Sequence, residues 1–494
     1  MAKFHLTAEE VQKTKWYPKY HVAPPIGWLN DPNGFCFYKG EYHIFYQYHP
    51  YSAKWGPMHW GHSTSKNLFD WKHQPIAIAP GEKTEGKEKY DWDGCFSGCG
   101  FEYDGKLWLM YTGQNTQRPL YGKSKVTERQ CMAYSEDGIN FTKFEKNPVI
   151  DIPDDDPVIG NVDFRDPKIW KHGDKFYCVM GDKTPDKTNT QIVLFESENF
   201  FDWKFKSVVA SAKGNEGTMW ECPCFAHFDG ADVMLISPQH IEPEGRLFQN
   251  LHQTGYMIGN LNYETGVFEH GKFFMFDYGF DFYATTLMQD PNGRYLIITW
   301  LAMWENIYPE QKDDWACMLT IPRELQFKNG KIYTVPPKEL EEMRGEGVHY
   351  KNLSIDKATE LDGVKGAVGE LLVEIDTKKS KAFKIELRSN GNEVEDEDKE
   401  KTILLYDEAT KVLTLNRNMS GVGPKGTREV ELTPFETLKL RIYLDKSSVE
   451  IFINDGEFAM TTRVYPKDES DKIIFTPKAE TLELISVDYY NFDR

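Results

Sequence analysis

No tryptophan and no cysteine follows Cys317, although the 494 residues hold 13 Trp and 8 Cys. So one-sided an absence in a chain of this length marks a compositional boundary and two or more domains. Long apolar runs are missing as well. None approaches the roughly 20 residues that a membrane-spanning helix needs, so no membrane partner is expected. The start has no basic segment leading into an apolar one, so no signal peptide is read there. Sustained 3.6-residue periodicity is absent from the first half, which argues against an α/β barrel. Cationic residues are in deficit, 58 Lys and Arg against 77 Asp and Glu for a formal charge of −19. A polyanion would be repelled by that balance, so no nucleic acid is expected as partner. Cys222-Pro223-Cys224 lacks the two-residue spacing of zinc or redox pairs, and His59 and His62 have no evident third ligand, so no metal is expected. Cys36 and Cys178 lie in apolar runs and read as buried thiols.

What is present is a repeat. Short apolar runs rich in aromatic and β-branched residues are split by Gly-containing turns at Lys39-Gly40, Asp104-Gly105, Gly173-Asp174, Asp229-Gly230 and Asn292-Gly293. Each reads as a β-hairpin, and the units recur roughly every 55 to 70 residues. A second landmark keeps step: Ser65-Lys66-Asn67 before Asp70-Trp71, Ser135-Glu136-Asp137 before Asn140-Phe141, and Ser197-Glu198-Asn199 before Asp202-Trp203. Two landmarks in phase suggest four-stranded blades around an axis, and the five hairpins predict an all-β, five-bladed β-propeller over residues 1–334. An ordinary all-β sandwich is the alternative.

A Pro-led short helix over 335–346 reads as a linker. Beyond it, alternation as in Leu371-Leu372-Val373-Glu374-Ile375, and the hairpin signal Asn454-Asp455-Gly456, predict a β-sandwich over 347–494. This half has no Trp to stack on a sugar, so it reads as a brace on the propeller rather than a carbohydrate-binding module. The acidic run from Glu393 to Glu400 reads as a solvated loop tip.

Three acids head repeat units: Asp31 in Trp28-Leu29-Asn30-Asp31-Pro32-Asn33-Gly34, Asp166 in Arg165-Asp166-Pro167, and Glu221 in Glu221-Cys222-Pro223. Asp-Pro-Asn-Gly is also an ordinary turn, and its second copy, Asp290 to Gly293, reads as just that. Arg165-Asp166 can be a local ion pair, and Glu221 an edge residue. Repeats that bring carboxylates to equivalent positions, however, can converge them on one axis. Paired carboxylates are what glycosidic bond cleavage needs, one ionised and one protonated, and crowding of like charge divides those roles. Gln47, Trp55, His59, Trp60, His62, Trp92, Phe96 and Trp220 cluster near the blade openings as candidates to stack on or hydrogen-bond a sugar, although aromatics are equally at home in a propeller core.

Taken together these motifs resemble glycoside hydrolase family 32, the invertases, levanases and inulinases that act on β-fructofuranosides. Trp28 to Gly34 matches the family's Trp-Met-Asn-Asp-Pro-Asn-Gly box with Leu29 in place of Met, and Arg165-Asp166-Pro167 and Glu221-Cys222 match two further boxes. Asp445 to Phe452 looks like the signature of the family's C-terminal sandwich. The resemblance implies Asp31 as nucleophile, Glu221 as general acid/base and Asp166 as transition-state stabiliser. It implies Asn30, Gln47, Trp55, Phe96, Ser97, Arg165, Tyr283 and Trp300 as the fructose subsite, and no cofactor. One departure is Phe96-Ser97-Gly98-Cys99-Gly100, where the family has Phe-Ser-Gly-Ser-Ala, and packing rather than activity is expected to feel it. The expected reaction is retaining hydrolysis of sucrose, a small-molecule partner. Sucrose 6-phosphate or a fructan is the alternative substrate, and a non-catalytic sugar-binding propeller the alternative class. Trp28, where phosphate-specific relatives commonly have Leu, favours unphosphorylated sucrose and an extracellular role over a cytoplasmic one. Nothing in the sequence bears on oligomeric state.

Overall fold

The first strand of each sheet in the N-terminal half carries the same irregularity, and that irregularity places the functional side chains. The computed structural model describes residues 4–84, 87–88, 90–117, 125–391 and 399–492. Among these the chain is all-β, with helix confined to one α-turn at Ala8–Val11 and 3-10 segments at Pro309–Asp313 and Lys338–Met343.

Besides a two-stranded ribbon of Lys83–Thr84 and Lys87–Glu88, five sheets of four or five strands, antiparallel but for one short pairing, follow one another up to Val335, opening with Gly27–Tyr38, Gly94–Tyr103, Arg165–His172, Met219–Phe228 and Tyr283–Gln289. The hairpins fall where the turn residues put them: Tyr38 pairs with Glu41, Tyr103 with Lys106, His172 with Lys175 and Phe228 with Ala231. Gly40 and Gly105 sit at φ +83° and +70°, a left-handed conformation that only glycine adopts without cost. The second Asp-Pro-Asn-Gly is a turn, with the Asp290 carboxylate accepting from the backbone of Asn292 and Arg294 at 2.9 and 2.8 Å. The Ser/Asn landmark is also one repeated turn. Asn67 Oδ1 accepts from the Asp70 amide at 3.0 Å, Asp137 Oδ1 from Asn140 at 2.8 Å and Asn199 Oδ1 from Asp202 at 2.9 Å. First strands of consecutive sheets touch, and the fifth touches the first. A two-residue strand, Trp315–Ala316, pairs in parallel with Gly27–Trp28 and returns the chain to the first sheet.

Each first strand breaks register at the same depth: between Leu29 and Pro32, Phe96 and Gly98, Arg165 and Lys168, Glu221 and Cys224, and Tyr283 and Thr285. An extra residue there bends the strand and re-aims its side chains. Asp166, Cys222 and Ala284 take φ of +65°, +52° and +56° at this point. The prolines after Asp31, Asp166 and Cys222 fit the same irregularity, where a missing N–H costs no ladder bond.

The C-terminal half is two six-stranded sheets packed on each other. Its core is aliphatic where the other half uses tryptophan, with Leu371, Val373, Ile375, Ile442, Ile451 and Leu484 all buried. The alternation that predicted these strands is what sends these residues to one face. The polar residues of the Asp445 to Phe452 segment are not exposed. Asp445 and Glu450 are buried on the two ring nitrogens of His21, at 2.7 and 2.9 Å. Burial disfavours the imidazolium, but hydrogen bonds and charges of both carboxylates outweigh it and push His21 up to about 9. Glu450 also accepts from Arg323 of the fifth sheet at 2.7 Å, so one buried ionic cluster joins the N-terminal segment, that sheet and the sandwich. Of the acidic run read as a solvated tip, residues 393–398 lie outside the described residues. Glu400 differs from that reading, being buried and accepting from Lys467 N at 2.7 Å and Ser470 Oγ at 2.6 Å.

Candidate active site

The register breaks align two residues from each first strand. Leu29, Phe96, Arg165, Glu221 and Tyr283 are the last paired residues before the breaks, and Asn30, Ser97, Asp166, Cys222 and Ala284 stand one residue further on, with Asp31 next after Asn30. The three acids are therefore not at equivalent positions: Glu221 is the last paired residue of its strand, Asp166 the first residue inside its break and Asp31 the second inside its own. That offset sets Glu221 beside Arg165, while Asp166 is the one of the three that is buried.

A pocket of about 350 Å³ is lined by Asn30, Asp31, Gln47, Trp55, Phe96, Ser97, Arg165, Asp166 and Glu221, together with Glu128, Asp163, Gln239 and Trp304. Asp31 Oδ1 accepts from Asn30 Nδ2 at 3.0 Å and Oδ2 from Ser97 Oγ at 2.8 Å. Asn30 is held in turn by Trp28 Nε1 at 2.9 Å, which gives the tryptophan of the first motif a positioning contact. Gln47 donates to the carbonyl of Cys95 at 3.0 Å. Asp166 Oδ2 accepts the Cys222 amide at 2.9 Å. Arg165 gives two hydrogen bonds to Glu221 Oε1, at 3.1 and 2.8 Å, and one to Asp163 at 2.6 Å, with Glu128 at 3.6 Å. The other Glu221 oxygen accepts from the Tyr283 hydroxyl. Trp55 is 51% exposed and forms an edge-on contact with Phe96, leaving its face at the pocket mouth.

Two expected residues do not line the pocket. Trp300 is fully buried, packed 6.1 Å from Trp28 and 4.9 Å from Trp304, and Trp304 takes the place at the wall. Its strand, Tyr295–Trp300, is buried along its whole length, so no alternation was available to show which tryptophan would face the pocket. Tyr283 is buried beneath the pocket and reaches it only through Glu221. Trp60 and Trp220 belong to the core, bonded to the carbonyls of Phe96 at 3.1 Å and Glu216 at 2.6 Å. His62 pairs with His43 at 3.0 Å, and His59 faces the Pro57 carbonyl at 3.1 Å. Cys99 is buried, and at Gly100 an added Cβ would stand 2.9 Å from the Gly34 carbonyl oxygen. The departure at this box thus serves the close approach of two first strands.

Crowding of five carboxyl groups around one guanidinium shapes the titration. Burial, then the charge of Glu221, pushes Asp31 up to about 6 against the hydrogen bonds of Asn30 and Ser97. Burial pushes Asp166 up to about 8, with Arg165 opposing and Glu221 and Asp31 adding to it. Burial also raises Glu221, but the charge of Arg165 and the Tyr283 hydrogen bond outweigh it and hold this group below its ordinary range. Burial raises Glu128 against Arg165. The site thus holds one ionised acid clamped by Arg165, one that titrates near 6 and one that keeps its proton to about 8.

Such a site opposes folding. A carboxyl whose folded pKa lies above its unfolded value stabilises the protein below the unfolded value, roughly 3.9 for Asp, and loses that contribution as pH rises through the folded value. For Asp166 that window runs from about 4 to about 8. Asp166→Asn is therefore expected to raise Tm by several degrees at pH 8 and to leave it nearly unchanged at pH 4. Calorimetry at the two pH values checks this, and an equal Tm gain at both would refute it.

Comparison with known proteins gives two adjoining matches: the glycosyl hydrolases family 32 N-terminal domain over residues 21–336 and the family 32 C-terminal domain over 339–491. A sucrose-6-phosphate hydrolase of Zymomonas mobilis is 36% identical, covering 94% of this chain and 92% of that protein. A raffinose invertase of Escherichia coli is 38% identical, covering 93% and 91%. Among solved structures, the Bombyx mori GH32 β-fructofuranosidase superposes with a TM-score of 0.83 at 35% identity, covering 97% of this chain and 94% of that one.

Proposed function

Since the chain belongs to glycoside hydrolase family 32, we propose that its pocket hydrolyses terminal β-D-fructofuranosides with retention of configuration, and that its preferred substrate is unphosphorylated sucrose. The observation that carries the reading is the convergence of Asp31, Asp166 and Glu221 with Arg165 in one pocket. Asp31 attacks the anomeric carbon as Glu221 protonates the bridging oxygen, and Glu221 then takes a proton from the water that releases fructose. Asp166, protonated below about pH 8, donates to or orients the sugar hydroxyls. Asn30, Ser97, Gln47 and Arg165 supply hydrogen bonds, and Trp55 and Phe96 supply apolar wall. Tyr283 acts through Glu221. The five N-terminal sheets form the five blades of a propeller, a reading supported by the closed order in which their first strands touch. Residues 1–334 form the catalytic domain, 335–346 a linker containing the 3-10 turn at Lys338–Met343, and 347–494 the sandwich.

The charge around the pocket favours a neutral substrate. Among the described residues its lining holds five carboxyl groups and one cation, Arg165, already engaged by Glu221 and Asp163. A phosphate dianion at the mouth meets repulsion there and, among the described residues, no unengaged cation in the lining. Sucrose and raffinose are therefore expected to be cleaved with kcat/KM about tenfold or more above that for sucrose 6-phosphate. Initial rates on the three substrates test this, and a preference for the phosphate ester would assign the chain the activity named for its Zymomonas relative. Proton NMR of the first-released sugar reads the configuration, and initial release of α-fructose would overturn the role given to Asp31.

A further inference from the structure

The segment from Asp277 to Tyr283 belongs to the N-terminal half, yet its middle is built into the sandwich. Phe280 packs within the aliphatic core of the C-terminal half, with the guanidinium carbons of Arg417 and Arg428 at 3.8 and 4.3 Å from its ring centre. Asp281 is fully buried next to it. Its Oδ2 accepts from Arg417 Nη1 at 2.6 Å and from the Arg463 amide at 2.8 Å, both from the sandwich. Its Oδ1 faces the other way, toward Asn306 Nδ2 at 3.4 Å and the Tyr308 hydroxyl at 3.3 Å. That hydroxyl accepts the Met303 amide at 2.7 Å, one residue before Trp304 of the pocket wall. Two residues beyond Asp281, Tyr283 donates to Glu221.

We propose that Asp281 is a positioning residue through which the C-terminal sandwich fixes the active site. Arg417 and Arg463 hold Asp281, and Asp281 holds both the phenol that aligns Glu221 and the loop that carries Trp304. The inference rests on the fructosidase reading of the pocket and adds to it a role for the second domain. The physical case is that a fully buried carboxylate needs its cation. With Arg417 replaced by a neutral side chain, Asp281 is left uncompensated in a dry interior and the segment shifts. A close-packed interior passes that shift to Tyr283 rather than absorbing it, and a displacement of the order of 1 Å at an acid/base group is costly to catalysis. His21 offers the contrast: it joins the same halves through Asp445 and Glu450 and bonds no residue of the segment from Gly279 to Tyr308.

The test compares kcat/KM for sucrose, whose glucose must leave with a proton, and for p-nitrophenyl β-D-fructofuranoside, whose nitrophenolate leaves without one. Asp281→Asn and Arg417→Gln are expected to lose about tenfold on sucrose and less than about twofold on the nitrophenyl substrate. Tyr283→Phe should show the same split. His21→Gln should lower Tm and leave the ratio of the two substrates at the wild-type value. Where a single variant does not fold, the double variant Asp281→Asn with Arg417→Gln, which removes both charges of the pair, is read in its place. Equal losses on the two substrates, or none, would overturn the proposal, because a merely structural pair scales both rates together. Wild-type protein inactive on both substrates would instead overturn the fructosidase reading itself, and the two failures are told apart by that control.

Discussion

Asp31→Asn is expected to lower sucrose turnover by about 10⁴-fold or more, with the folded structure intact. The substitution keeps the size of the side chain and an oxygen for Asn30 or Ser97, so what it removes is the nucleophile. No neighbour is placed to substitute for it: Asp166 keeps its proton through neutrality, and Glu221 is turned toward Arg165 and Tyr283. The wild-type pH profile carries the same argument. Burial and the Glu221 charge put Asp31 near 6, so kcat/KM should fall as pH drops through about 6 and the nucleophile gains a proton. It should fall again above about 8, where Asp166 gives up the last proton shared among the three acids and none is left to pass to Glu221. A bell with limbs near those values is the expected result. A single acid limb near 4, the range of an uncrowded carboxyl, would remove the crowding account altogether.

The hairpins were legible because glycine turns and apolar runs are local chemistry, and the Ser/Asn landmark because a side chain capping its own turn needs only a few residues. Asp31, Asp166 and Glu221 were legible as a set through the motif boxes, but the offsets between them were not. A register break leaves no mark on composition, and only the pairing of Arg165 with Gly181 and of Glu221 with Ser237 shows which residues are level. Glu128, Asp163, Gln239 and Trp304 went unseen for a related reason. They come from second and third strands and from loops, and their meeting at one pocket is a tertiary fact with no spacing to announce it. Proline after Asp31, Asp166 and Cys222 was the one local signal of the shared irregularity, since it falls where the ladder has no use for an N–H. Trp300, buried behind Trp304, could not be placed from sequence either. Two tryptophans four residues apart at the end of a wholly buried strand give no period by which to choose between them. The burial of Asp445 and Glu450 was not legible either, because their partners His21, more than 400 residues away, and, for Glu450, Arg323 come from the other half of the chain.

Glu221→Ala should cost about 10²–10⁴-fold on sucrose and far less on p-nitrophenyl β-D-fructofuranoside in the step that forms the fructosyl-enzyme. Added azide, which attacks without a base, should restore turnover and yield a β-configured fructosyl azide. The free protein poses a question that this variant answers. Arg165 and Tyr283 hold Glu221 ionised, so its proton arrives only when bound sugar draws the guanidinium away or passes on the proton kept by Asp166. Either route requires the acids to be electrostatically coupled, and the coupling has a sign. Glu221 raises both Asp31 and Asp166, so its removal should lower both, and the acid limb measured with the nitrophenyl substrate should move below about 6. Release of Arg165 from Glu221 acts in the same direction by offering its charge to the two aspartates. An acid limb that stays near 6 in Glu221→Ala would mean that burial alone sets the nucleophile, and the three carboxyl groups would then have to be treated as independent sites.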